Sequence, residues 1–112
     1  MPFKDLYKTE QDVIYQCLEA TVDGPFFPDW EFHTLFGLTR QEVEQIVIDW
    51  SIVDKDSSLA ILAINNSLNN LLGYPHKCDR EWYDFISVSP QKLRTIYGKW
   101  KGRKQGYFDN MM

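Results

Sequence analysis

Hydrophobic residues recur at helical spacing along most of this chain. The clearest repeat runs from Val43 to Trp50, with apolar side chains at i, i+3, i+4 and i+7 and polar side chains on the opposite side. Thr39 precedes this repeat, and Glu42 follows Thr39 by three positions, as in a capping box, which satisfies free amide groups in the first turn of a helix. The pattern predicts a helix that begins after Thr39.

Similar patterns, bounded by glycine, proline and capping residues, predict further helices. They cover residues 9–22, 29–36, 57–72 and 90–100, together with a short segment that begins at Asp79. Pro28 is expected as the first helical residue of the second helix and Gly37 as its C-terminal cap. Apolar and polar residues alternate only over short stretches, so strands are not expected. The predicted fold is all-α, an irregular bundle of five or six short helices.

Length and composition favour one domain. A chain of 112 residues is close to the usual size of a single core, and 44% hydrophobic with 25% charged residues is an ordinary mixture for a soluble globular protein. We expect residues 1–112 to form a single domain, with residues 102–112 as a frayed tail. Cys17 and Cys78 are too few and too far apart for a disulfide framework. Without an export signal or an apolar segment of membrane-spanning length, a cytoplasmic protein with no membrane partner is expected.

Charge is segregated along the chain. Residues 1–89 carry 15 acidic and 6 basic side chains, a net charge of −9, whereas residues 90–112 carry 1 acidic and 6 basic side chains, a net charge of +5. A strongly negative body repels nucleic acid and attracts positively charged surfaces. The distribution indicates a binding protein with a basic protein partner, and nucleic acid is not expected as a ligand.

Two short groupings could carry catalytic chemistry, and each has a simpler structural explanation. His33 and Glu31 offer a titratable pair for acid-base catalysis. Among neighbouring aromatic residues, however, His33 is expected to be a hydrogen-bonded packing residue. Ser89 and Lys92 match the S-x-x-K pattern of serine nucleophiles, but a serine before Pro90 is expected to cap a helix. We therefore do not expect an enzyme.

A third grouping could bind a metal ion. His76, Cys78 and Asp79 lie within four positions, and all three side-chain types bind zinc. A closed site needs a fourth ligand, for which His33 and Cys17 are candidates, but nothing in the spacing requires it. We expect a polar loop with an incidental thiol, and no metal or cofactor.

Four asparagines fall in the middle of the predicted helix over residues 57–72, at positions 65, 66, 69 and 70. Asparagine is a poor helix former, so the group needs a reason. The side chains are expected to form a polar ladder or to bond to adjacent loops, and a recognition face is the alternative.

The basic residues beyond position 90 alternate with apolar residues at helical spacing. Lysines and arginines next to aromatic rings also occur in nucleic-acid-binding segments. Because the net charge of the chain is −4, we expect this segment to pack on the core and to clamp the acidic body of its own chain.

Residues 24–37, GPFFPDWEFHTLFG, and residues 63–75, AINNSLNNLLGYP, resemble segments of short bacterial proteins. In size, acidity and lack of catalytic motifs, the chain is similar to immunity proteins of contact-dependent growth inhibition and related polymorphic toxin systems. The resemblance implies a stoichiometric inhibitor that binds a cognate toxin domain, commonly a basic nuclease. Such an inhibitor blocks the active site of the toxin or its approach to substrate.

Acidic residues in loops, with nearby aromatic residues, are the candidate contacts for such a partner. Carboxylates would mimic phosphate charge, and aromatic side chains would supply a desolvated anchor. The expected partner-binding residues are Asp54, Asp56, Asp79, Glu81, Trp82, Tyr83 and Asp84. A single negative face would form if the loops after Val22, Trp50 and Tyr74 converge. The alternative function is a small regulatory or nucleic-acid-binding module that uses the basic C-terminal helix.

Overall fold

The computed structural model describes residues 3–102, which form six α-helices and two short 3₁₀ turns, with no β-strand among them. The helices are α1 (Lys8–Asp23), α2 (Asp29–Phe36), α3 (Arg40–Ile48), α4 (Ser58–Gly73), α5 (Trp82–Phe85) and α6 (Pro90–Gly102). The 3₁₀ turns are Phe3–Asp5 and Asp79–Glu81. The predicted all-α bundle is confirmed. The predicted frayed tail lies outside the described residues, apart from Gly102, which ends α6.

The helix boundaries follow the capping residues of the sequence. Thr39 Oγ1 accepts a hydrogen bond from the N–H of Glu42 (3.1 Å), and the Glu42 carboxylate accepts one from the N–H of Thr39 (2.8 Å), which completes the predicted capping box. Gly37 ends α2 with a φ of 69°, a left-handed conformation that glycine adopts without strain. Two details differ from the sequence pattern: Pro28 is the N-cap and not the first helical residue, and α3 ends at Ile48, although the apolar repeat continues to Trp50.

The central helix is α4, which packs against α1, α2 and α6, while α1 also packs against α3. Ile64, Leu68 and Leu71 of α4 are buried in the core. Large aromatic side chains fill much of the remaining space, and the almost fully buried ones are Trp82, Trp100, Phe26, Phe32 and Phe36. Because aromatic side chains bury a large area per residue, a short chain can build an adequate core from them.

The two ends of α4 face different parts of the molecule. Where α4 begins, Asp56 accepts hydrogen bonds from the N–H of Phe3, just before α1. Where α4 finishes, the Tyr74 hydroxyl donates to Glu31 in the first turn of α2, and Cys78 Sγ lies 3.5 Å from a carbonyl oxygen of the loop after α1. Therefore α1 and α4, each of 16 residues and about 24 Å long, run in the same general direction between two ends of the molecule.

Asparagine side chains attach α2 to α4. Asn66 Nδ2 donates to the carbonyl oxygen of Phe36 (2.7 Å), and Asn70 Nδ2 donates to that of Leu35 (3.1 Å). The last two carbonyl groups of α2, which have no partner within their own helix, are satisfied in this way. Asn65 accepts a hydrogen bond from a tyrosine hydroxyl of α6 (2.7 Å). The three asparagines thus bond to neighbouring parts of the chain, but their partners lie in the helices α2 and α6 and not in the loops that were expected.

The C-terminal helix α6 packs its apolar face on the core and contacts the start of α1. Leu93, Ile96 and Trp100 are buried, and Lys99 Nζ lies 2.9 Å from the Glu10 carboxylate. Burial disfavours the charged form of Glu10, but the hydrogen bonds from Lys99 and from the backbone outweigh burial and lower the pKa of this carboxyl. The expected contact between the basic segment and the acidic body is confirmed by this pair.

Candidate partner-binding surface

The seven expected partner-binding residues lie at two different ends of the molecule. Asp54 and Asp56 precede α4, whereas the other five residues, 79, 81, 82, 83 and 84, follow it. Since α4 is about 24 Å long, the two groups do not form one contiguous face. The expected convergence of three loops holds only for the loops after Val22 and Tyr74, which meet at the Cys78 Sγ contact.

Asp54 and Asp56 stabilise their own loop. Both carboxylate oxygens of Asp56 accept hydrogen bonds from the N–H of Phe3 (3.1 and 3.2 Å), and one oxygen of Asp54 accepts a hydrogen bond from the N–H of Asp56 (3.0 Å). These bonds hold the N-terminal segment against the loop before α4. Because this role explains both side chains, we leave them out of the proposed contact set.

Trp82 is buried and does not fit its expected role as an anchor for a partner. Its side chain is 2% exposed, and its indole N–H donates to the carbonyl oxygen of Val88 (2.7 Å). The ring packs edge-to-face against Phe26 and stacks on His76. A partner could reach this side chain only if the core opened, so Trp82 positions the neighbouring residues instead of contacting a partner.

Five carboxylates gather at the C-terminal end of α4, where α5 packs on α1. They are Glu19, Asp23, Asp79, Glu81 and Asp84, and we call this group the acidic end. Gln16 of α1 holds the segment after α5 in place, because its side-chain oxygen accepts hydrogen bonds from both the N–H and the hydroxyl of Ser87 (2.9 Å each). Tertiary packing therefore adds two carboxylates of α1 to the three that were expected to bind a partner.

No member of the acidic end forms an ion pair within residues 3–102. The ion pairs there are Lys8–Asp12, Arg40–Asp29 and Lys99–Glu10. Lys77 and Arg80 are close to this group in the sequence, and Arg94 lines the same cavity as Lys77 and Asp79. Five carboxylates with three cations leave a formal net charge of −2. The negative potential of this end is thus open to a positively charged partner.

The pKa shifts show that these charges interact. Burial raises the pKa of Glu19, and the neighbouring Asp23 raises it further. Burial also raises the pKa of the Cys78 thiol, with additional contributions from Glu81 and Asp79. Nearby like charges disfavour the ionised form of each group, so a cation placed at this end would relieve that repulsion.

Two aromatic side chains at this end of the molecule are exposed. Tyr83 is 64% exposed next to Asp84 in α5, and Trp30 is 81% exposed in the first turn of α2. Exposed aromatic residues often contribute much of the binding energy of an interface. Trp30 was not among the expected partner-binding residues, although helical spacing indicates its exposure: when Phe32 and Phe36 face the core, a residue two positions before Phe32 points away from it.

His33 is exposed, so the expectation of a packed histidine is wrong. It lies on α2 at a shallow cavity of about 450 Å³, whose lining includes Arg40. The carboxylate of Glu31 accepts a hydrogen bond from the Tyr74 hydroxyl and makes none with His33. The structure therefore does not assemble the pair that was considered for acid-base catalysis.

His76 and Cys78 form a local hydrogen-bonded turn. His76 Nδ1 accepts a hydrogen bond from the N–H of Cys78 (3.0 Å), and its Nε2 lies 3.1 Å from the carbonyl oxygen of Leu71. Both ring nitrogens thus have partners within the chain. Among the described residues, no group of three or more His, Cys, Asp or Glu side chains is arranged to hold a metal ion. The other cysteine, Cys17, is buried in the core, where burial raises the pKa of its thiol.

Ser89 acts as the predicted helix cap. Its Oγ accepts a hydrogen bond from the N–H of Lys92 (3.1 Å), and Pro90 then begins α6 as its first residue, as the sequence pattern predicts. Capping geometry thus explains the S-x-x-K match.

No protein-family model, curated protein or solved structure matches this chain at a significant level. In the stretch from Phe3 to Gly102, every helix is too short or too polar to cross a membrane. The functional interpretation therefore depends on the acidic end and on the chemistry of its side chains.

Proposed function

We propose that this protein binds and neutralises a cognate basic toxin domain, as its resemblance to bacterial immunity proteins implies. The observation that carries the proposal is the acidic end, where five carboxylates without an ion pair among the described residues lie at the same end of the molecule as two exposed aromatic rings. A nuclease toxin has a basic cleft that holds phosphate groups. Carboxylates could occupy the positions of those phosphates and exclude the substrate.

Electrostatics would contribute mainly to the rate of association. With its neighbouring cations counted, the acidic end has a formal charge of −2, and the whole chain has −4, so both the local and the overall field attract a cationic partner. Such steering raises association rates from about 10⁵–10⁶ M⁻¹s⁻¹ towards 10⁸ M⁻¹s⁻¹ at low salt, and added salt screens it.

The exposed aromatic rings would contribute mainly to the lifetime of the complex. Tyr83 is exposed and lies between Glu81 and Asp84 in the sequence, so we expect a partner that binds these carboxylates to cover its ring as well. Truncating a central aromatic contact typically costs about 1–2 kcal/mol or more. We therefore expect Tyr83→Ala to speed dissociation about 5- to 30-fold.

The first partner to test is a toxin-like domain encoded next to this chain. Co-expression should yield a complex of one copy of each protein. The association rate at low salt should then fall at least about tenfold in the double variant Asp79→Asn with Asp84→Asn, because two steering charges are lost. Stopped-flow fluorescence over a range of salt concentrations measures this rate.

A matched variant separates the acidic end from net charge alone. Asp5→Asn with Glu44→Gln changes the charge equally at two exposed carboxylates outside the acidic end, and it should affect the rate much less. Equal slowing by both double variants would mean that only the total charge matters and that the acidic end is not the binding site. If no complex forms with the encoded toxin domain, the inhibitor proposal is wrong.

A further inference from the structure

An apolar groove lies between α3 and the start of α4, at the opposite end of α4 from the acidic end. It has a volume of about 290 Å³, apolar atoms form most of its surface, and its apolar lining residues are Ile46, Val53 and Leu59. Leu59, which lines the groove, is 48% exposed. Single exposed apolar residues are ordinary, but an exposed leucine that lines an apolar groove together with Ile46 and Val53 indicates an interaction surface.

The polar side chains that line this groove are acidic or neutral. Glu42 and Asp49 are seven residues apart at the two ends of its α3 wall, about 10.5 Å along the helix axis, and Gln45 lies between them. Gln45 Nε2 donates to Asp49 Oδ2 (2.7 Å), and the Thr39 N–H donates to Glu42 Oε1 (2.8 Å). These two hydrogen bonds use one oxygen of each carboxylate and leave Glu42 Oε2 and Asp49 Oδ1 for a further partner. The groove lining includes no lysine or arginine among the described residues.

We propose that this groove binds an amphipathic helix of a partner protein that carries two cations seven residues apart. Apolar side chains between the cations would enter the groove over Ile46 and Leu59, and the cations would pair with Glu42 and Asp49. An apolar face flanked by matching charges is the usual arrangement when a helix binds in a groove. The inference goes beyond the inhibitor proposal and does not depend on it, because it uses a different surface.

A second copy of this chain is a poorer occupant of the groove. In a symmetric dimer the same patch of each copy meets its equivalent, so Glu42 and Asp49 of both copies would approach one another. Each copy also has a net charge of −4, which adds repulsion. Charge complementarity therefore favours a basic partner.

Two synthetic peptides of about 16 residues, long enough to populate a helix, test the proposal. In the first peptide, two lysines seven positions apart flank two leucines on one helical face. The second peptide has the same composition and the same lysine spacing, but its two lysines lie on the opposite helical face. Alanine and glutamine fill the remaining positions of the two peptides. Backbone amide chemical shifts of the isotope-labelled protein report binding. The first peptide should shift the amides of residues 45–53 and Leu59, and the second should bind at least about fivefold more weakly.

Variants of the protein locate the peptide. Glu42→Gln with Asp49→Asn removes both charges but keeps a capping box and an acceptor for Gln45, and it should weaken binding about 5- to 30-fold. Leu59→Ala should also weaken binding, and the fold should tolerate it because Leu59 is half-exposed. Asp5→Asn with Glu44→Gln removes the same charge at two exposed carboxylates that do not line the groove, so it is the matched control and should leave the affinity unchanged.

Several results would overturn the proposal. These are shift changes centred on the acidic end or spread over the whole surface, equal affinity for the two peptides, and unchanged affinity after removal of the Glu42 and Asp49 charges. If the wild-type protein forms a dimer and Leu59→Ala abolishes the dimer, the groove binds a second copy of the chain, and the proposal of a basic partner helix is overturned. Peptide binding at the groove without a toxin complex would support this proposal and reject the inhibitor proposal.

Discussion

Replacing Asn66 by alanine should destabilise the protein, although alanine is the better helix former in the middle of α4. Asn66 Nδ2 donates to the carbonyl oxygen of Phe36, the last residue of α2, at 2.7 Å. Gly37 has turned the chain out of the helix at this point, so the carbonyl has no partner further along α2. Asn69 lies on the same helix and is exposed, which makes Asn69→Ala a matched control.

Two opposing effects set the magnitude of the change. At either position alanine gains up to about 0.7 kcal/mol in helix propensity. At Asn66 the loss of a hydrogen bond to a partly buried carbonyl costs about 1–3 kcal/mol. The free energy of unfolding should therefore fall by about 0.5–2 kcal/mol in Asn66→Ala. In Asn69→Ala it should stay constant or rise by up to about 0.7 kcal/mol.

Urea unfolding followed by tryptophan fluorescence measures the difference. With an m value of about 1.5 kcal/mol/M, the midpoint for Asn66→Ala should lie about 0.3–1.3 M below that of the wild type, at an unchanged m value. Asn66→Asp, which points a carboxylate at a carbonyl oxygen, should unfold at still lower urea. If Asn66→Ala is as stable as Asn69→Ala, the side-chain bond does not contribute to stability and apolar contacts alone hold α2.

Three further substitutions test other contacts. Arg40→Met should lower the free energy of unfolding by about 2–4 kcal/mol in the same assay, because the Arg40 guanidinium donates to three backbone carbonyl groups around the end of α1. A loss below about 0.5 kcal/mol would contradict this expectation. Lys77→Gly should raise stability by up to about 1 kcal/mol, because Lys77 has a φ of 61°, whereas Lys77→Ala should not. Glu10→Gln should lower the free energy of unfolding at neutral pH. The loss relative to the wild type should become smaller below about pH 4.5, because a carboxyl group whose pKa falls on folding stabilises the fold only while it is ionised. Thermal unfolding of both proteins between about pH 3 and pH 7 measures this loss. If the loss is the same at every pH, the contact of the Glu10 carboxylate with Lys99 is not its cause.

The helices could be predicted from the sequence because their signals are local. The capping box at Thr39, the glycine at position 37 and the serine before Pro90 each act within a few residues, and the structure uses all three. Trp50 shows where local signals end. Its spacing places it on the apolar face of a helix, but its ring packs against Phe3 and Tyr15 from a turn beyond α3. Contacts with residues distant in the sequence decided that position.

The sequence by itself determined the helical content, the helix boundaries to within one or two residues and the overall acidity of the chain. Only the tertiary structure decided which carboxylates share a surface: the length of α4 separates Asp54 from Asp79, while the packing of α5 on α1 brings Glu19 to the same end. The physical reason is range. Helix formation depends on residues up to four positions apart, whereas the exposure of a side chain depends on which face of its helix the rest of the chain covers.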